Sequence, residues 1–243
     1  MSTNTKSRIV PVAVAGLCLL AGLAAGIAMN KLDDGSLPDS AAVGSTSEEA
    51  KLEALQKQLL RTLVLPEDFK TVPEFSLLDG NSQPLDETVF DNQWSVVFFG
   101  FTHCPDVCPI TLTVMQDVVE QLQAFNVPQP QTLFFTVDPK RDTPEVMKNY
   151  VGYFNSDFIG VTGELNEMLQ LTKSLGIVAA FTAREDDPTQ YDVDHTASML
   201  LIDPQGRMRA KLTAPHAADT IVTDYVTLLN ALAPAQSAAL ELN

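Results

Sequence analysis

Two cysteines, Cys104 and Cys108, lie one helical turn apart in GFTHCPDVCPITL, residues 100–112. Thiols at that spacing can close a disulfide, exchange with a substrate disulfide, or hold a soft metal ion. On a helix their Cβ atoms would be neighbours at about 5–6 Å. Pro109 fits best within a first turn. The stretch therefore predicts a tight irregular turn through Pro105 and Asp106, feeding a helix that starts close to Cys108. Free backbone N–H groups at such a start favour thiolate over thiol. A purely structural disulfide is the weaker reading, because so small a loop constrains little of the unfolded chain.

Two thiolates alone make a redox pair or an incomplete metal site. Thiolates select Cu(I) or zinc, and imidazole suits both copper and zinc. The chain has three histidines, His103, His195 and His216. His195 lies in YDVDHTASMLLID, just ahead of an apolar run. In a thioredoxin-like arrangement that approach loop passes beside the cysteine turn. Thioredoxins carry a cis-proline there, and residues 191–202 contain no proline. His195 is the candidate third ligand, with Asp192, Asp194 and Asp138 as candidates to orient the site or balance its charge. An Asp–Arg pair that merely holds its loop is an equal reading of Asp138. His103 is expected to diverge from its neighbour Cys104, and His216 reads as a surface residue. Four ligands would indicate structural zinc. Two cysteines and one histidine suit Cu(I), and an ion that must be passed on. Met115, Met168 and Met199 have the spacing of core residues.

The elements that must position these groups follow from apolar patterning. WSVVFFGF is a continuous apolar run, as in a strand buried on both faces, and TLFFTVD is a second. The cysteines follow the first at its carboxyl end, where α/β sheets place functional groups. FSLLDGNSQPL predicts two short strands around a turn. A helix is expected over residues 112–125, another in TPEVMKNYVGYF, and one in ELNEMLQLTKSLG closed by Gly176. FIGVTG is a third strand. IVAAFTA and YDVD flank an acidic tip as an inserted hairpin, ASMLLID and RMRAKL form a second hairpin, and residues 217–232 a last helix. That order is an α/β, thioredoxin-like sandwich.

Ahead of it, residues 9–29 are uncharged and apolar, long enough to span a bilayer and longer than the usual apolar region of a signal peptide. A retained N-terminal transmembrane anchor is favoured over cleavage. Lys6 and Arg8 before the run orient the tail toward the cytoplasm and the bulk of the chain to the far side. Cys18 falls inside the span as a small apolar residue. The expected division is a tail and anchor at 1–31, a linker and short amphipathic helix at 32–72, and a domain at 73–243. The net charge of −16 makes nucleic acid an unsuitable partner.

GFTHCPDVCPITL, TVDPKRDTPEVMKNY and DVDHTASMLLIDPQG resemble, in order and spacing, the three signatures of the SCO/SenC copper chaperones. The resemblance runs from about residue 73 to 231. It implies a membrane-tethered thioredoxin fold and copper held by Cys104, Cys108 and His195, as Cu(I), with Cu(II) left open. It also implies delivery to the binuclear copper centre of cytochrome c oxidase subunit II. A copper donor protein and a thiol reductant are then expected partners. The short tail lacks the Arg-rich character of a mitochondrial transit peptide, which points to a single-pass bacterial inner-membrane protein with its domain in the periplasm. Such a protein is a carrier rather than an enzyme with turnover. The alternatives are a thiol–disulfide oxidoreductase using a Cys104–Cys108 disulfide to keep the oxidase subunit's cysteines reduced, and a copper or redox sensor.

Overall fold

Strand β4 (Ser95–Gly100) is buried along its whole length, and its alternation divides the interior in two. Val96 and Phe98 enter one apolar cluster, Val97 and Phe99 the other. The computed structural model describes residues 42–183 and 191–233. The apolar run at 9–29, most of the expected linker and the acidic hairpin tip lie outside the described residues. No helix among the described residues is long and apolar enough to cross a membrane.

In chain order the elements are α1 (Ala42–Gln56), β1 (Thr62–Val64), β2 (Leu77–Asp79), β3 (Pro84–Leu85), β4, α2 (Val107–Ala124), β5 (Gln131–Thr136), α3 (Pro144–Phe154), β6 (Ile159–Thr162), α4 (Leu165–Ser174), β7 (Ala179–Ala183), β8 (Tyr191–His195), β9 (Met199–Ile202), β10 (Met208–Leu212) and α5 (Ala218–Leu232). An eight-stranded sheet has the order β1-β10-β9-β4-β5-β6-β2-β3. Its centre is parallel, β4 to β5 and β5 to β6, and β9 joins β4 antiparallel. On one face lie α1, α2, α3 and α5, which contribute Leu55, Leu112, Met147 and Leu228; on the other lies α4 with Met168 and Leu171. Each fully buried phenylalanine of the β4–β5 centre contributes roughly 1.5–3 kcal/mol. This is the expected thioredoxin-like α/β sandwich. Met115, Met168 and Met199 are all fully buried core residues.

The sheet begins earlier than the expected domain start at residue 73. Thr62–Val64 is an edge strand on β10. Buried Asp224 of α5 accepts the amides of Leu60, Arg61 and Thr62 at 2.7, 3.1 and 3.0 Å. The leucine-spaced helix ends at Gln56, and Leu52, Leu55 and Leu59 pack on the domain itself.

Candidate metal centre

Helix α2 opens one residue before Cys108, so the Pro105–Asp106 turn holds Cys104 just outside the helix and Cys108 in its first turn. This is the turn-fed helix expected close to Cys108, continuous with the helical stretch expected from residue 112, and Pro109 is tolerated in a first turn where no intrahelical N–H bond is needed. Both residues are free thiols, Cys104 half-buried and Cys108 fully buried. The Cys108 amide points at Cys104 Sγ from 3.5 Å. Cys108 itself departs from the expectation. Burial, the largest effect, pushes its thiol well above the ordinary range, reinforced by the charge of Cys104. Desolvation outweighs the helix start because Cys108, although in the first turn, turns its sulfur to the core and not to water.

Gly100 makes that position possible. A Cβ there would stand 2.6 Å from Cys108 Sγ and 2.6 Å from Phe134 Cε2. The strand end must be bare for the sulfur to lie against it.

His195 closes the group from β8. Its Nε2 lies 3.6 Å from Cys108 Sγ. Its Nδ1 lies 3.1 Å from the Thr196 carbonyl, which can only accept, so Nδ1 carries the proton and Nε2 turns a lone pair to the sulfurs. Asp194, a sequence candidate for orienting the ring, is exposed, and the backbone carbonyl does that work instead. Phe98 and Phe101 meet the imidazole edge-on with centroids at 6.1 and 5.8 Å. One ligand atom from each of Cys104, Cys108 and His195 lies within 4.8 Å of the others. Three donors bound to one ion at about 2.0–2.3 Å in a trigonal shell stand about 3.5–4.0 Å apart, so the widest separation has to close by no more than about 1.3 Å.

His103 is turned away, toward the Thr102 hydroxyl at 3.1 Å and Asp142 at 3.8 Å. Asp138 is 1% exposed and paired with Arg141, and it also accepts the Tyr191 hydroxyl at 2.7 Å. It holds the surrounding loop and does not reach the cysteines. Asp142 is a residue to which sequence reasoning gave no role. Fully buried, it accepts the Thr102 amide and hydroxyl at 2.9 and 2.5 Å and the Thr136 hydroxyl at 2.6 Å, pinning the cysteine turn to β5. A carboxylate in the loop that follows an apolar strand and a threonine beside the cysteines were the available signals.

His216 is not a free surface group. It is half-buried, and its Nε2 donates to the Ala197 carbonyl at 2.9 Å, next to the carbonyl that orients His195. Burial, the main cause, lowers the pKa of His216 and of His195 below the ordinary 6.5. Each ring is then neutral in the folded chain while the unfolded chain's imidazole gains a proton below about pH 6.5. Stability is therefore present above that pH and declines as pH falls through the lowered folded values. The urea midpoint of the metal-free protein is expected to drop between about pH 7 and pH 5. His216→Gln, which keeps a donor for Ala197 without a titrating ring, should flatten that decline.

A family model described as SCO1/SenC matches residues 65–230. The bovine protein described as "Protein SCO2 homolog, mitochondrial" (Bos taurus) is 36% identical over 171 residues, covering 70% of this chain and 64% of that protein. The crystal structure of yeast Sco1 with copper bound is 30% identical with a TM-score of 0.63, over 70% of this chain and 94% of that one. The crystal structure of Arabidopsis thaliana ScoI with copper bound is also 30% identical, with a TM-score of 0.60, over 65% of this chain and 96% of that one.

Proposed function

The chain belongs to the SCO1/SenC family, and from that premise we propose that it is a copper chaperone whose cargo is held by Cys104, Cys108 and His195. The observation that carries the reading is the convergence of two sulfurs and an imidazole nitrogen within 4.8 Å. Two soft donors and one imidazole suit Cu(I). Among the described residues this is the one His, Cys, Asp or Glu group of three that could hold an ion, which leaves the shell open to an incoming ligand. A carrier needs that opening, because the ion must pass to its acceptor through a shared intermediate. Each thiol gives up its proton as the ion enters, and Cys108, whose burial resists ionisation, is the sulfur whose charge the ion must neutralise.

The resemblance supports a finer reading. The apolar run at 9–29 tethers the domain to a bacterial inner membrane on its periplasmic side, and copper goes to the binuclear centre of cytochrome c oxidase subunit II. A copper donor and a thiol reductant complete the cycle.

Redox state gates the loading. Closing the disulfide removes two electrons and two protons from the thiols and leaves no thiolate to offer, and a thiol reductant reverses it. The reduced full-length protein is expected to take up one equivalent of Cu(I) against a competing chelator. The oxidised protein should take up none. Equal uptake by both forms would remove the reading.

A second reading, thiol–disulfide exchange, has one observation in its favour. Cys104 is half-exposed while Cys108 is buried, the asymmetry of an outer attacking and an inner resolving thiol. Exchange with a model disulfide that persists at full rate in a variant unable to bind copper would favour it.

A further inference from the structure

The ribbon that carries His195 stands outside the main sheet, since β7 and β8 pair with each other in a sheet of their own. Its base is closed by the Thr196 amide on the Val178 carbonyl at 3.0 Å and the Val178 amide on the Thr196 hydroxyl at 3.1 Å. At the far end of β8, Tyr191 donates its hydroxyl to Asp138. The other Asp138 oxygen is taken by Arg141, whose guanidinium lies 4.2 Å from the Tyr191 ring centroid and 5.9 Å from that of Phe101. Phe101 in turn faces His195.

One loop thus grips both halves of the metal centre. From the segment after β5, Asp142 holds Thr102 beside the cysteines and Asp138 holds Tyr191 on the histidine ribbon. The two grips differ in how they can let go. Asp142 is fully buried under three donors, and breaking its contacts would strand a charge in the core. If Tyr191 leaves, Asp138 keeps Arg141, and the phenol finds water. Opening there leaves no buried charge unpaired.

We propose that Tyr191, bound by Asp138 and Arg141, is a latch that sets how much of the time His195 covers Cys108. Tyr191 is a positioning residue for copper loading and release. The copper part rests on the function proposed above; the movement of the ribbon does not. With the latch closed, His195 caps the inner sulfur. With it open, the ribbon pivots on its Val178–Thr196 base, the imidazole beside that pivot tilts off Cys108 Sγ, the site falls to two sulfurs, and an acceptor ligand can enter beside the ring.

The test is Tyr191→Phe in the reduced, metal-free, full-length protein, a change that keeps the ring stacked on Arg141 and removes only the hydroxyl. Single-hit iodoacetamide labelling, resolved by mass spectrometry, reads the exposure of each cysteine; the half-exposed Cys104 is the internal reference and His195→Ala the fully uncovered control. Labelling of Cys108 should rise roughly tenfold, the change in opening expected from losing one hydrogen bond to a charged acceptor, while Cys104 labelling holds. Cu(I) affinity should fall several-fold in the parent and not at all when Tyr191→Phe is added to His195→Ala, because the latch acts through that ring. Unchanged Cys108 labelling, or an equal affinity loss in both backgrounds, would overturn the latch. If His195→Ala alone binds Cu(I) as tightly as the parent, the three-ligand function fails, and the labelling arm still decides the ribbon's movement.

Discussion

Replacing His195 with alanine is expected to weaken Cu(I) binding by about a hundredfold or more, a loss of roughly 3 kcal/mol, with the domain still folded. In the proposed site the imidazole is the third donor, its Nε2 lone pair aimed at the sulfurs by the bond from Nδ1 to the Thr196 carbonyl. Without it the ion keeps two sulfurs, and the space the ring filled between Phe98 and Phe101 admits water. The fold should tolerate the change because β8 belongs to the ribbon and contributes no strand to the main sheet. A competition titration of the reduced protein measures the loss. Binding as tight as the parent's would remove the imidazole from the donor set.

Gly100→Ala is expected to lose both stability and copper. The new methyl would meet Cys108 Sγ and Phe134 Cε2, each at 2.6 Å, and Phe134 Cζ at 2.9 Å. Phe134 has little room to yield. Phe134 is stacked on Phe98 at 5.5 Å and lies 5.7 Å from Tyr150. The backbone is held too, since Gly100 pairs with Thr136 at the end of a fully buried central strand. Overpacking of this kind costs about 1–3 kcal/mol, which in a domain of this size lowers Tm by roughly 2–12 °C. The sulfur is the softer of the two obstacles, so part of the strain moves Cys108 away from His195. Cu(I) affinity should then fall at least about tenfold. Gly152→Ala is the matched control. It lies within α3 with nothing within 4 Å of a new Cβ, and alanine there should stabilise by about 0.5–1 kcal/mol. Calorimetry and the same titration separate the outcomes; a Gly100→Ala protein with unaltered Tm and affinity would mean that the sulfur does not lie against the strand end.

What could be read from the chain and what could not divide along sequence distance. WSVVFFGF declared a strand buried on both faces because side chains alternate along a strand, a property of neighbouring residues. The Pro-rich turn, the helix beginning near Cys108, the two hairpins and the placing of the cysteines at a strand's carboxyl end were legible for the same local reason. His195 was legible as well, through its place before β9 and the missing proline.

The partners of the polar groups were not. Asp142 holds Thr102 across 40 residues, Asp138 holds Tyr191 across 53, and Asp224 holds Thr62 across 162. No local pattern marks such pairs, because they depend on which strand ends the sheet order brings together. The sequence by itself therefore determined the layered fold, the thiol pair and its candidate imidazole. Only the tertiary structure decided that a carbonyl rather than Asp194 orients His195, that burial overrides the helix start at Cys108, and that His216 braces the neighbouring loop. Hydrophobic alternation is written residue by residue, whereas desolvation and the pairing of buried polar groups exist only once distant segments have excluded water together.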